Sequence, residues 1–190
     1  MFANTKALAI PEGDVVKVEC NGSVIWKKPS EAKWSENLVP TSVDTDGSIF
    51  NGKGYKDESR LNSSGAVTGQ AESTATGFIE AKKGDTFQIT GVRFGISSYA
   101  GVYGYVSLYN ASKAKVLSVS CDAYGSGNGF VIDPLIKDRK VLPTDVIEVR
   151  LTNVADTVAF IRFSASIQAL PENSIAKQSG ADMVVRKWLE

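Results

Sequence analysis

The 190-residue sequence is 43% hydrophobic and 22% charged, a composition typical of globular chains rather than of disordered or fibrous ones. Lysine plus arginine and aspartate plus glutamate both number 21, so no net charge attracts the chain to nucleic acid or to an anionic membrane. The absence of histidine excludes imidazole-based catalysis, and the two cysteines, Cys20 and Cys121, are too few for a structural zinc site or a disulfide scaffold.

The N-terminal sequence "MFANTKALAIPEGD" lacks the basic and apolar regions of a signal peptide, so we expect synthesis in the cytoplasm. No apolar run approaches the roughly 20 residues of a membrane span, and we expect no membrane insertion.

Residues 1–28 are predicted to be an N-terminal β-hairpin segment. In "IPEGDVVKVECNGSVIWKK" two alternating runs flank Asn21-Gly22, a pair that favours a two-residue type I′ turn. A lone hairpin is marginally stable in water, so this one must pack on the main domain, a partner chain or a neighbouring subunit. The charged, proline-containing residues 29–37 are predicted to be a linker.

Residues 38–168 are predicted to form an all-β domain, an antiparallel β-sandwich of jelly-roll type. Short apolar runs alternate with turn residues at regular spacing, and there is almost no helical periodicity. The stretch Asn51–Gly65, "NGKGYKDESRLNSSG", shows little sign of helix or strand periodicity, so it is either a solvated connection or a binding loop. The strand candidates are "GFIEA", "TFQITGVRFGI", "VYGYVSLYN", "AKVLSVSCDAYG", "GFVIDPL", "DVIEVRLTN" and "VAFIRFSASI".

The alternation within these runs assigns their faces. In the last run, Ile161, Phe163 and Ala165 fall on one apolar face, and the residues between them form a mixed face. The expected core also contains Phe87, Ile89, Ile147, Val149 and Leu151. Residues 169–190 are predicted to be a C-terminal tail in which "SGADMVVRKWL" forms a short helix capped near Ser179.

Three tyrosines of "VYGYVSLYN", Tyr103, Tyr105 and Tyr109, fall on one face of their predicted strand. Flat apolar rings with hydroxyls at the rim are what a sugar-stacking platform uses. The alternative is that these rings belong to the core, because β-sheets favour tyrosine.

The acidic stretch "SVDTDGS" places Asp44, Asp46 and Ser48 at alternate positions, and Gly47 permits a sharp turn. Oxygen ligands at this spacing can surround Ca²⁺, so a structural calcium ion is one interpretation. The remaining EF-hand ligands are missing, and the same residues also make an ordinary turn.

Several strings of the sequence resemble a β-sandwich module of tail and baseplate-region proteins from phages and prophages of Gram-positive, often gut, bacteria. They are "NLVPTSVDTDGSIFNGKGYKDESRLNSSG", "TGFIEAKKGDTFQITG" and "VAFIRFSAS", and the hairpin is similar to a short segment common in such proteins. The resemblance implies a virion structural protein of the phage tail. Its implied partners are other tail proteins and host cell-surface polysaccharide, and it supplies no catalytic residues.

A "GYKDxxRL"-like string recurs in the resembling proteins, and Tyr55, Asp57 and Arg60 match it. In the structural interpretation, Asp57 and Arg60 pair to stiffen the loop while Tyr55 fills an edge of the sandwich. In the functional interpretation, Tyr55 stacks on a sugar ring and the two charged groups hydrogen-bond its hydroxyls. The structural interpretation is favoured.

Three functions remain open, and the first is favoured. It is a non-enzymatic tail module that binds cell-surface carbohydrate, with avidity if the chain is a homo-oligomer. The second is a purely architectural virion protein that contacts its neighbours through the hairpin and linker. The third is a carboxylate-only polysaccharide hydrolase, which needs two acidic side chains roughly 5–10 Å apart.

Overall fold

The computed structural model describes residues 17–20, 23–27, 33–39, 54–94, 96–97, 102–120, 131–133, 142–169, 171 and 174–189. The chain forms two compact units, Met1–Lys33 and Trp34–Glu190. Within the described ranges, no helix has the length and apolar character needed to cross a membrane.

The first unit contains the predicted hairpin. Strands β1 (Lys17–Cys20) and β2 (Ser23–Lys27) pair antiparallel, with Cys20 opposite Ser23. This register leaves two residues for the connection, as expected for Asn21-Gly22, which lie outside the described residues. The hairpin prediction is confirmed.

The second unit is all-β, as the alternating runs predict. Its described strands, in chain order, are β3 (Tyr55–Leu61), β4 (Val67–Thr76), β5 (Ile79–Glu80), β6 (Thr86–Thr90), β7 (Ile96–Ser97), β8 (Val102–Tyr103), β9 (Tyr105–Tyr109), β10 (Lys115–Ser120), β11 (Val131–Asp133), β12 (Ile147–Arg150), β13 (Phe160–Ser166) and β14 (Val184–Lys187).

These strands form two main antiparallel sheets and one small one. The six-stranded sheet has the order β10-β9-β13-β4-β3, with β5 also paired to β13. The four-stranded sheet has the order β11-β12-β6-β14, and β7 pairs with β8. The antiparallel all-β class is confirmed, whereas the jelly-roll connectivity stays a prediction.

The main core lies between the two large sheets. Ile147 pairs with Ile89 and Val149 pairs with Phe87, as the sequence predicts. Phe87 of the four-stranded sheet meets Phe163 of the six-stranded sheet edge to face, with ring centroids 5.9 Å apart. Each of these fully buried side chains contributes roughly 1.5–3 kcal/mol to the free energy of unfolding.

The stretch from Asn51 to Gly65 is not simply a loop. From Tyr55 to Leu61 it forms β3, an edge strand of the six-stranded sheet that pairs with β4. Burial does alternate along β3, but two of its more buried positions hold polar residues, Asp57 and Ser59, so the sequence shows no alternation of apolar and polar residues. The pairing with β4 also shifts register between Asp57 and Ser59.

The predicted C-terminal helix is correct only at its cap. The Ser179 side chain accepts a hydrogen bond from the Ala181 amide, but the helix is a single 3-10 turn, Gly180–Asp182. The chain then continues as β14, which pairs with β6. Valine favours strands, and β6 offers an unpaired edge, so sheet pairing prevails over local helix propensity.

The predicted tail and linker therefore both contribute to the sandwich unit. Alongside β14, the Ser35 amide donates to the Lys187 carbonyl (2.8 Å) and the Leu38 amide donates to the Val185 carbonyl (2.7 Å). The Lys187 ammonium also forms a 2.6 Å ion pair with the largely buried Asp85 carboxylate. The domain boundaries predicted at residues 38 and 168 are thus corrected to include residues 34–37 and 184–188.

Candidate functional site

Tyr55 lies inside the sandwich rather than on its surface. Its side chain is only 5% exposed and belongs to the main core. It packs so closely on Gly180 that a Cβ added to this glycine would lie 2.1 Å from the Tyr55 ring. The structural interpretation of Tyr55 is therefore correct, and a sugar ring cannot stack on it.

Asp57 holds the C-terminal segment against β3. Its carboxylate accepts a 2.8 Å hydrogen bond from the backbone amide of Gly180. Arg60 is half-buried on the other side of the register shift that follows Asp57. Asp57 therefore has a structural task at an edge of the sandwich. The structural interpretation expects it to pair with Arg60, and that pairing stays a prediction.

An open cleft of about 500 Å³ lies where these segments meet. Its walls come from three parts of the chain: β3, the residue that follows β13, and the segment that precedes the 3-10 turn. The lining residues are Lys56, Asp57, Glu58, Ile167, Lys177, Gln178 and Ser179. Among the predicted ligand-binding residues whose side chains are described, Asp57 alone lines this cleft.

The cleft offers hydrogen-bonding groups of every kind. Lys56, Glu58 and Lys177 are exposed, so an ammonium donor and a carboxylate acceptor are both accessible to a ligand. The Gln178 amide donates to the Ile167 carbonyl (3.0 Å), which fixes one wall to the end of β13. The Gln178 side-chain oxygen is buried and has no hydrogen-bond partner among the described residues.

Of the predicted tyrosine platform, the two side chains that the structure describes, Tyr105 and Tyr109, do not form an open surface. Tyr109 is only 4% exposed, and its hydroxyl donates a hydrogen bond to the Gly65 carbonyl. Tyr105 is half-buried, and Tyr103 lies in β8, where its side chain is outside the described residues. Alternation correctly puts Tyr105 and Tyr109 on one face of β9, but the turn between β3 and β4 covers that face at Tyr109.

Beside Tyr109 lies a buried charge that the sequence reasoning missed. Arg162 is 1% exposed, donates from Nε to the Thr76 carbonyl (2.8 Å), and places its guanidinium 4.7 Å from the Phe78 ring centroid. The Phe78 ring in turn meets the Tyr109 ring edge to face at 4.9 Å. The only sequence signal for this buried charge is the position of Arg162 between two core residues, Ile161 and Phe163.

Burial perturbs both titratable groups of this cluster. Desolvation raises the pKa of Tyr109, an effect that the nearby positive charge of Arg162 partly offsets. Desolvation also lowers the pKa of Arg162. Both directions follow from the cost of holding a charged form away from water.

No family model, curated protein or solved structure matches the chain. Function is therefore inferred from the site and its chemistry.

The predicted calcium ligands Asp44, Asp46 and Ser48 lie outside the described residues, so the calcium interpretation stays a prediction. In the parts of the chain that are described, no group of three or more His, Cys, Asp or Glu side chains could hold a metal ion.

Proposed function

We propose that the chain is a non-enzymatic structural module of a phage or prophage tail, and that its sandwich binds host cell-surface carbohydrate. The binding site in this proposal is the cleft between β3 and residues 177–179. The observation that carries the proposal is the mixed lining of this cleft, in which accessible ammonium and carboxylate groups surround a cavity of about 500 Å³.

Carbohydrate hydroxyls both donate and accept hydrogen bonds, so they are recognised by sites that contain both kinds of partner. The Lys56 and Lys177 ammonium groups can donate, and the Glu58 carboxylate can accept. Charged partners form stronger hydrogen bonds than neutral ones. The described cleft residues include no aromatic ring, so we expect weak binding per site that gains strength when several copies engage one wall.

The test is a pull-down of the purified protein on cell walls from a panel of Gram-positive gut bacteria, before and after removal of wall polysaccharide. We expect saturable binding that is lost with the polysaccharide. The double variant Lys56→Ala/Lys177→Ala should weaken it about tenfold, because two charge-assisted hydrogen bonds are lost. Binding that survives polysaccharide removal, or that the double variant leaves unchanged, would overturn the proposal.

The matched control removes the same charge elsewhere. Lys82 and Lys83 are exposed in the turn between β5 and β6, outside the cleft lining. The variant Lys82→Ala/Lys83→Ala should bind walls as the unmodified protein does. An equal loss in both double variants would show that net charge, rather than the cleft, governs retention on the wall.

A purely architectural role in the tail is the second candidate. The observation that favours it is that the unit Met1–Lys33 contains a two-stranded hairpin, a structure that is marginally stable in water by itself. In this role the hairpin contacts another tail protein or another copy of the chain. Absence of binding to every wall in the panel, together with concentration-dependent oligomers in analytical ultracentrifugation, would favour this role over carbohydrate binding.

A further inference from the structure

The outer half of the β3–β4 hairpin is bent away from its inner half. In the inner half Asp57 pairs with Thr74, whereas in the outer half Ser59 pairs with Gly69. Residues 70–73 of β4 thus lie opposite Glu58 alone, an irregularity of the kind that bends a strand pair. We call the outer half, residues 59–69, the strap.

Both strands have a strained residue at this bend. Glu58 has φ of 54° and Glu72 has φ of 60°, and neither is a glycine. In this left-handed region the Cβ atom crowds the neighbouring carbonyl, so residues other than glycine, asparagine and aspartate rarely occupy it. With a left-handed residue in each strand, the backbone of the hairpin is strained at this bend.

The strap lies over the outer face of the six-stranded sheet, the face turned away from the main core. The Ser118 hydroxyl donates to the Asn62 carbonyl (2.8 Å), and the Lys115 ammonium donates to the Ser63 carbonyl (3.4 Å). Together with the bond from Tyr109 to Gly65, these contacts fasten the tip of the strap to β9 and β10.

The outer face of the six-stranded sheet is unusually polar for a buried surface. Ser107, Arg162 and Ser164 share the outer face and are at most 1% exposed. The Ser164 hydroxyl has no hydrogen-bond partner among the described residues, so its burial costs free energy. Of the strap's residues, all of which are described, Leu61 is the one large apolar side chain that is fully buried, and it lies outside the main core cluster.

We propose that the strap is a hinged cover that lifts reversibly at Glu58 and Glu72 and exposes the outer face while the main core stays folded. Lifting relieves the two strained backbones and lets water reach the outer face around Tyr109, Ser107 and Ser118. It costs the three tip hydrogen bonds and the burial of Leu61. Opening is therefore a local event that precedes global unfolding, in the manner of other low-stability structural units. The proposal does not depend on carbohydrate binding in the cleft.

Amide hydrogen exchange of the full-length protein tests the hinge. Strap amides should exchange faster than those of the inner half of the same hairpin, residues 55–57 and 74–76. Tyr109→Phe removes one tip hydrogen bond and should accelerate exchange in the strap about fivefold, with the inner half unchanged. Tyr105→Phe is the control, because the Tyr105 hydroxyl has no hydrogen-bond partner among the described residues, and it should alter neither half.

Ser118→Ala provides a second variant that acts on another tip bond, and it should accelerate strap exchange without affecting residues 55–57. Equal protection of strap and inner half, with both tip variants accelerating the two halves by the same factor, would overturn the proposal. That result would mean that the strap opens only when the whole domain unfolds.

Discussion

The two faces of the six-stranded sheet are both buried, but different interactions bury them. The inner face, with Ile161, Phe163 and Ala165, packs against a second sheet chiefly through apolar contacts. On the outer face, Arg162 bonds the Thr76 carbonyl, and the strap covers part of the face through the bonds from Tyr109 and Ser118 to its carbonyls. Burial of apolar surface stabilises the inner face. The outer face is held by polar contacts, whose net contribution to the free energy of unfolding is smaller.

The largest effect should come from the inner face. Phe163 is fully buried and its ring meets both Phe87 and Phe94. We expect Phe163→Ala to lower the free energy of unfolding by about 3–5 kcal/mol, because it removes apolar contacts and leaves a cavity. Urea denaturation followed by circular dichroism measures this loss. The control is Phe160→Ala, a half-buried ring on the same strand, and an equal loss there would contradict the distinction between the faces.

A smaller loss is expected from the buried charge on the outer face. Arg162→Ala deletes the hydrogen bond to the Thr76 carbonyl and the contact with the Phe78 ring, and should cost about 2 kcal/mol. Arg162→Met restores most of the volume but not the hydrogen bond, so it should fall between Ala and the unmodified protein. Denaturation midpoints in urea rank the three proteins. A stabilised Arg162→Ala variant would show that the desolvation cost of the charge outweighs its contacts.

The smallest effect concerns pH. Because burial raises the pKa of Tyr109, the folded state favours the neutral phenol, which ionises near pH 10 in the unfolded chain. The stability that this preference contributes is complete below about pH 10 and is lost as the pH rises towards the folded-state pKa. Tyr109→Phe removes this dependence. Unfolding free energies measured between about pH 9 and 11 should therefore decline more steeply for the unmodified protein than for the variant. If the unfolding free energies of the two proteins declined in parallel with pH, Tyr109 would be accessible to water in the folded state.

Local alternation predicts the inner face because the same residues that repeat every second position also fill the core. It predicts the hairpin for a similar reason, since Asn21-Gly22 is a local turn signal. The burial of Tyr109 has no such signal, because it depends on a turn some 44 residues earlier in the chain. The bend that brings this turn back arises at Glu58, a residue that no local rule marks for a left-handed conformation.

The candidate site, too, could be predicted only where the signal is local in the sequence. Asp57 and Tyr55 could be singled out from their string, and the structural interpretation of Tyr55 is correct. The far wall of the cleft, with Lys177 and Gln178, could not be predicted, because it depends on a hydrogen bond between Asp57 and Gly180 across 123 positions. The strand that follows this wall, β14, is likewise placed by the free edge of β6, which a local pattern does not reveal.

Native-state thiol labelling of two adjacent positions on β9 tests the difference between the faces most directly. Val106 and Ser107 are both fully buried, the first on the inner face and the second on the outer face. Val106→Cys and Ser107→Cys would each be made with Cys20 and Cys121 replaced by serine. We expect the thiol at position 107 to react at least about tenfold faster without denaturant, because the strap opens while the core stays closed. Equal rates that follow global unfolding in both variants would contradict a separately hinged cover.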